Sequence, residues 1–319
     1  MRKWVKLSKG VTDAVSPNLR VLTYNILSPK LSNIGTMKKI SKENLLWDRR
    51  CPLITQEIFD VFGLQEVEPA HYMTILSKKF DEYFSYYIKR TGDKPDGCCL
   101  FLRKTRFDVL DQVFVKFVDH AECDRDNVGI IALCYDKKLK MNAVFSTTHI
   151  LFNSSRGYIK LIQMNMLLEN INKLFKKHEL SSNCPIFIMG DFNMTPFSGL
   201  YKFMVEGFID LAQSGKENQL SGQNCGRSQE IKKYWLNQTF ENPFSLKSSM
   251  FMHENSPDNV SIFHLGSESI VDYIFYGSIK EVGDKILPVQ GKEFLEKRNM
   301  KSFLPNEDFP SDHVPLVQN

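Results

Sequence analysis

No apolar run in this 319-residue sequence approaches the ~20 residues that a membrane-spanning helix needs. The opening Met1-Arg2-Lys3-Trp4-Val5-Lys6-Leu7 carries positive charge but no apolar stretch of secretory-signal length. Cysteine is sparse and badly spaced for cross-linking. The seven are an odd number, none forms a C-x-x-C, and the adjacent Cys98-Cys99 make a poor disulfide pair. That pattern argues against a disulfide framework or a structural zinc. It predicts reduced thiols in an intracellular protein, cytoplasmic or also nuclear. No internal repeat and no long low-complexity segment is found, which argues against a repeat architecture. The net charge of +4 is too small to be a nucleic-acid footprint by itself, although it suits a polyanionic substrate.

What is present is an ordinary folded composition, 42% hydrophobic and 24% charged, at a length near the upper size of one core. Short apolar runs predict strands at 19–25, 61–67, 83–89, 98–102, 107–118, 129–135 and 143–148. The four between 98 and 148 read as one antiparallel meander. A helix is predicted over 70–80. Leu161, Met164, Leu168, Ile171 and Leu174 keep a three-to-four spacing, which predicts an amphipathic helix over 157–176. Ser198 is a plausible cap for another helix, over 198–206. Residues 212–259 are rich in Ser, Asn, Gln and Gly, with few apolar residues in phase, and predict a long loop or mobile insertion. Strands interleaved with helices predict an α/β (α+β) fold, a mixed-sheet sandwich with flanking helices.

The most informative segment is Gly190-Asp191-Phe192-Asn193, at the end of the apolar run 185–189. Other apolar runs also end on polar residues, at Asn25, Glu66 and His149. Asp272 interrupts the run 269–276, and Asp312-His313 precedes Val314-Pro315-Leu316. An acid at such a place is costly unless it is paired, hydrogen-bonded or bound to a metal. The repetition predicts one shared cleft at the ends of a sheet. The residue types suit phosphoryl chemistry. Glu66, with Asn25 and Asp312, offers oxygen ligands for Mg²⁺ or Mn²⁺. His313 with Asp272 can form an Asp–His pair. Asp191 can orient a water, and Asn193 and His149 can hold phosphate oxygens. His71, His120, His178, His253 and His264 read instead as surface or satisfied core residues.

The segments TYNIL at 23–27, LQEV at 64–67, THI at 148–150, GDFN at 190–193, VDYIFY at 271–276 and SDHVPL at 311–316 span nearly the whole chain. In that order they resemble the exonuclease–endonuclease–phosphatase superfamily. Lys89-Arg90-Thr91-Gly92, Asp96-Gly97-Cys98 and Arg125-Asp126-Asn127-Val128-Gly129 resemble, more narrowly, the Angel family of its carbon-catabolite-repressor, deadenylase-like branch. So do residues 149–153, Arg156-Gly157, Lys160-Leu161, Gln163-Met164, 221–223 and 304–307.

The resemblance implies a four-layer α/β/β/α sandwich of two mixed β-sheets with flanking helices. One catalytic domain would fill residues 19–319 behind an N-terminal extension, 1–18. It implies Glu66 as the main metal ligand, with Asn25 near it and Asp312 reaching the metal. Asp191 would activate the nucleophile and Asn193 would steady the phosphate. Asp272 would support His313, which would face the scissile phosphate. His149 and Asn127 fall to phosphate or leaving-group contacts, and Lys89, Arg90, Phe152 and Asn153 to substrate binding. Ser154 departs from the family pattern, which usually has Pro there.

The implied reaction is metal-assisted attack of water on phosphorus, removing a 2′,3′-cyclic phosphate from RNA to leave a 2′,3′ diol. The alternative is a 3′→5′ exoribonuclease acting on poly(A). A third reading is a regulatory protein that binds a translation factor. No tyrosine has Leu five positions on, so the Tyr-x4-Leu-hydrophobic motif for the cap-binding initiation factor is missing. RNA 3′ ends are the expected partner of a monomer that needs no membrane.

Overall fold

The computed structural model describes residues 4–6, 19–32, 37, 39–56, 59–196, 198–213, 217–223, 235–249, 260–264, 267–280, 292–295 and 304–318. The chain runs from β1 (Trp4–Lys6) and β2 (Val21–Asn25) through α1 (Lys42–Leu45) and α2 (Trp47–Ile54) to β3 (Val61–Val67). An irregular helix, α3, covers 69–79 and is widened by a π turn at Tyr72–Leu76. Next come β4 (Tyr83–Lys89), β5 (Gly97–Arg103), β6 (Phe107–Lys116), β7 (Val128–Asp136) and β8 (Met141–His149). The long helix α4 (Gly157–Lys177) leads to β9 (Ile186–Asp191), α5 (Gly199–Glu206), β10 (Phe208–Asp210) and α6 (Glu217–Ser221). The remaining strands are β11 (Thr239–Glu241), β12 (Phe244–Ser248), β13 (Ile262–His264), β14 (Ser267–Ser269), β15 (Asp272–Ile279), β16 (Lys292–Leu295) and β17 (Leu316–Gln318).

Two mixed sheets result. The first has the order β1-β16-β17-β2-β3-β5-β4, and the second β12-β15-β9-β8-β7-β6. Each contains one parallel pair, β2–β3 and β8–β9. Side chains alternate across the first sheet as a strand period of two requires. Val21, Val61, Leu100 and Leu102 point between the sheets and meet Ile130, Phe145 and Ile188. Leu22, Tyr24, Phe62, Leu64 and Phe101 point outward and pack under Trp47 of α2 and Leu76 of α3. On the far side, α4 buries Leu161, Met164, Leu168, Ile171 and Leu174. The layers are therefore α/β/β/α. Each buried Leu or Phe is worth roughly 1.5–3 kcal/mol, and a one-residue slip would turn every one of them to the wrong face. The sheets close tightly at Gly63, where a Cβ would stand 2.5 Å from Thr147 Oγ1.

The expected single meander is divided between the sheets. The chain leaves the first at Arg103 and enters the second at Phe107. Arg106, in the connecting turn, is fully buried and pairs with Asp60 at 3.0 Å and Asp136 at 2.9 Å, just outside β3 and at the end of β7. Residues 212–259 are also more than a loop. They contain α6, β11 and β12, and Leu220, Trp235, Phe244 and Leu246 are buried. Trp235 stacks on Tyr158 with ring centroids 3.7 Å apart, and its Nε1 donates to Glu122 at 3.1 Å. Only Phe244 and Leu246, two apart on β12, keep a strand period; Leu220 and Trp235 stand apart from it. Residues 214–216, 224–234 and 250–259 lie outside the described residues, as does most of the segment 1–18. Among the described residues no helix is long and apolar enough to cross a membrane. The six described cysteines are free and buried, and burial pushes the Cys184 thiol up to about 12.

Candidate active site

Strand ends from both sheets meet at one edge. The parallel register sets Asn25 beside Gln65 in one sheet and His149 beside Asp191 in the other. The antiparallel register sets Asp272 opposite Asp191. His313 joins them through a bridge to Ile262. Gly190 makes the close approach possible. A Cβ there would lie 2.1 Å from the Thr148 carbonyl oxygen, and its φ of +154° is one that L side chains rarely adopt. Glu66 sits at a register shift between Leu64 and Val67 with φ 59°. The bulge re-aims its side chain toward Asn25.

Asp191 is the hub. Its Oδ2 accepts from Asn25 Nδ2 at 3.1 Å and lies 3.5 Å from His149 Nε2 and 3.7 Å from His313 Nε2. Its Oδ1 accepts from the Asn193 backbone N–H at 3.0 Å. Asn25 Nδ2 also donates to Glu66 Oε1 at 3.0 Å, while Glu66 Oε2 accepts from the Ser28 N–H at 2.9 Å. His313 Nδ1 lies 2.8 Å from Asp272 Oδ2. Asn193 Nδ2 donates to the Ile150 carbonyl at 3.0 Å.

The electrostatics follow from burial and crowding. Burial, then repulsion from Asp272, raises the Asp191 carboxyl to about 7. Burial, then the neighbouring Asp312, raises Glu66. For His313 burial acts downward, but Asp272 and Asp191 outweigh it and hold the imidazole well above its ordinary value. Burial and the Arg90 charge hold His149 well below its ordinary value. Its Nδ1 is buried without a hydrogen-bond partner among the described residues.

Two groups of side chains suit a cation. Asp191, Asp272 and His313 bring one ligand atom each within 4.8 Å of one another. Asp272 takes up Nδ1, however, and the cationic state that Asp272 and Asp191 hold on His313 keeps a proton on Nε2 as well, where a metal would need a lone pair. Glu66 and Asp312 form the second group, with Asn25 beside Glu66. The mutual repulsion of these two carboxylates is what a hard divalent ion would relieve, whereas Asn25 turns its Nδ2 to Glu66 and accepts from the Leu27 N–H through its Oδ1 at 3.0 Å.

The remaining expected residues are less uniformly placed. Asn127 is 3% exposed and both ends of its amide are committed, Nδ2 to the His149 carbonyl at 2.9 Å and Oδ1 to Gln163 Nε2 at 3.2 Å. It stands behind His149. Arg90 is tied to the buried Asp96. Lys89 folds back on its own turn, donating to the carbonyls of Arg90 and Gly92. Phe152 is 66% exposed. Asn153 closes a turn by accepting from the Ser155 N–H at 2.9 Å. Ser154, the departure from the family pattern, is buried, and its carbonyl accepts from Ser221 Oγ at 3.3 Å.

Residue-by-residue reading missed four supporting residues. Arg50 is buried and donates to the carbonyls of Ile26, Leu27 and Pro310 at 2.8, 2.8 and 2.9 Å, clamping the segments that carry Asn25 and Asp312. Ser311 Oγ donates to the Asn25 carbonyl at 2.7 Å. Lys160 and Gln163 occupy the buried stripe of α4. Two polar residues three apart, in phase with Met164 and Leu167, were the available signal for this pair.

This fold and this set of carboxylates, amides and histidines define a class of phosphoesterase. The sequence matches the Endonuclease/Exonuclease/phosphatase family over residues 22–313, and the chain belongs to that family. Within it the chain falls among the Angel proteins. It is 31% identical to protein angel homolog 2 of Bos taurus, over 93% of this chain and 68% of that protein. It is 30% identical to carbon catabolite repressor protein 4 homolog 3 of Arabidopsis thaliana, over 99% of this chain and 78% of that protein. The crystal structure of ANGEL2, a 2′,3′-cyclic phosphatase, in complex with adenosine-2′,3′-vanadate matches with a TM-score of 0.84 and 32% identity. That match covers 100% of this chain and 97% of the other. The human Nocturnin catalytic domain, at 21% identity and a TM-score of 0.63, shares the fold.

Proposed function

We propose that this protein is a metal-dependent RNA 3′-end phosphohydrolase that removes a 2′,3′-cyclic phosphate and leaves a 2′,3′ diol. The observation that carries this reading is the whole-chain likeness to ANGEL2 bound to adenosine-2′,3′-vanadate. Residues 19–319 act as one catalytic unit, as a monomer, on RNA 3′ ends.

Glu66, Asn25 and Asp312 would hold Mg²⁺, with Mn²⁺ as a substitute. When bound, the ion neutralises charge on the phosphate oxygens and polarises the phosphorus. Asp191, with a carboxyl near 7, takes a proton from the attacking water close to neutral pH. Asn25 Nδ2 and the Asn193 N–H fix the direction of that carboxylate. His313, kept cationic by Asp272, offers a proton and positive charge to the phosphate or its leaving oxygen. Asn193 steadies the phosphate, and His149, held neutral, flanks it. In the first hydrolysis water bonds to phosphorus, one ring P–O bond breaks, and the departing ribose oxygen takes a proton. A second attack releases inorganic phosphate and leaves both hydroxyls.

A 3′→5′ exoribonuclease is the second reading. The exposed Phe152 ring two residues from Ile150 favours it, because a base can stack there. Lys89 at the end of β4, Arg90 next to it and Asn153 would contact the RNA. Two 5′-labelled RNAs separate the readings, one ending in a 2′,3′-cyclic phosphate and one in a 3′-hydroxyl poly(A) tract. With Mg²⁺, loss of terminal phosphate without shortening is expected. A ladder on poly(A) with an untouched cyclic end would replace the proposal by the second reading.

A further inference from the structure

We infer that Lys160 is a positioning residue for the reaction, holding Asn193 and the Phe152 segment at a fixed separation; this rests on the function proposed above. Lys160 is fully buried in α4. Its Nζ donates to the Asn193 carbonyl at 2.7 Å, to Gln223 Oε1 at 2.7 Å and to the Phe152 carbonyl at 3.4 Å. Those acceptors come from three segments that are remote in sequence. A buried ammonium is costly unless good acceptors surround it, so these oxygens and the cation fix one another.

The Asn193 backbone is left-handed, with φ 48°, a conformation that persists only where its surroundings over-determine it. The bond from Lys160 to its carbonyl is charge-assisted and stronger than a neutral one. One helical turn on, Gln163 does the equivalent on the other side of the site. Its Oε1 accepts from the Leu151 N–H at 2.9 Å, and its Nε2 donates to Asn127, which in turn donates to the His149 carbonyl. The start of α4 therefore anchors both polar flanks of Asp191. Lys160 adds the link to Phe152, whose ring is exposed three residues on from His149.

The test uses Lys160→Met, which keeps the length but no donor, and Lys160→Gln, which keeps a neutral donor. Thermal melting and circular dichroism establish folding, and kinetics are read on the cyclic-phosphate RNA and on bis(4-nitrophenyl) phosphate. Folded Lys160→Met is expected to lose at least about tenfold in kcat, with KM rising by less than about threefold. Lys160→Gln is expected between it and the wild type. In an Asn193→Ala background, Lys160→Met is expected to cost less than about threefold, because its effect passes through Asn193. The inference fails if folded Lys160→Met keeps kcat and KM within twofold, or if its loss multiplies in full with Asn193→Ala. Should the Met variant not fold, the Gln variant is judged by the same criteria. A wild type inactive on the cyclic end would defeat the function proposal alone, since the ratio of variant to wild type on the nitrophenyl diester still decides Lys160.

Discussion

Asp272 Oδ2 and His313 Nδ1 lie 2.8 Å apart, with both side chains buried. The backbone N–H of Asp272 is held in turn by Ser261 Oγ at 3.0 Å. Burial alone would discharge the imidazole, and the carboxylates reverse that. Asp272→Asn removes the first-named of them. His313 should then lose its proton at lower pH, and the alkaline limb of kcat/KM should move down by about one unit or more. A pH–rate profile, with an NMR titration of the His313 ring, checks this. An unmoved alkaline limb would mean that Asp272 does not control the charge of His313.

Asp191 links pH to stability as well as to turnover. Its carboxyl titrates near 7 in the fold. Between the ordinary carboxylate range and about 7 the folded protein therefore keeps a proton that the unfolded chain has lost. Its contribution to stability is lost as pH rises through that window. In chelator, wild-type Tm should fall from about pH 5 to about pH 8 and the Asp191→Asn curve should be flatter. The same variant should lose about a thousandfold or more in kcat with its fold intact. Parallel melting curves would contradict the assigned shift.

Gly190→Ala tests the strand end. The new Cβ would meet the Thr148 carbonyl at 2.1 Å, and backbone cannot yield as a side-chain tip can. A loss of roughly 2–4 kcal/mol is expected, within the range of overpacking with backbone strain. Activity should fall further than the unfolded fraction explains, because Asp191 is the next residue. Urea denaturation and specific activity of the folded protein measure the two effects separately.

Arg50→Met should destabilise by about 3–5 kcal/mol, since it strands buried carbonyls of Ile26, Leu27 and Pro310. The half-saturating Mg²⁺ concentration should rise, because those carbonyls fix the segments of Asn25 and Asp312. Arg50→Lys should recover little, as a point charge lacks the planar fork. Denaturation and Mg²⁺ titration of activity give both readings. An unchanged Mg²⁺ requirement would limit Arg50 to stability.

The strand-end polar residues were legible because a carboxylate closing an apolar run has few affordable environments. Asn25, Glu66, His149, Asp191, Asp272 and His313 could each be picked out, and the fold brings them together. The split of the meander was not legible, since strands facing either sheet show the same alternation. Nothing local marks Arg106 as the residue that faces both. Glu66 was legible as a strand-end acid but its backbone was not, since only the register shift gives it a left-handed φ. In the segment 212–259 the buried Leu220, Trp235 and Phe244 are spread over 25 residues, 220–244, that are mostly polar, so no helical or strand period joins them.

The Arg106 pairings sit at the edge of the sandwich away from Asp191, at the beginning of β3 and the end of β7. The cleft is assembled half from each sheet, about 20 Å off along the strands. The two sheets are also clasped at that far end, where Asn25 Nδ2 donates to Asp191 at 3.1 Å and Gln65 Nε2 to Thr147 Oγ1 at 2.9 Å. Held at both ends, the two halves of the site keep a set spacing, as a sandwich bolted at each edge does.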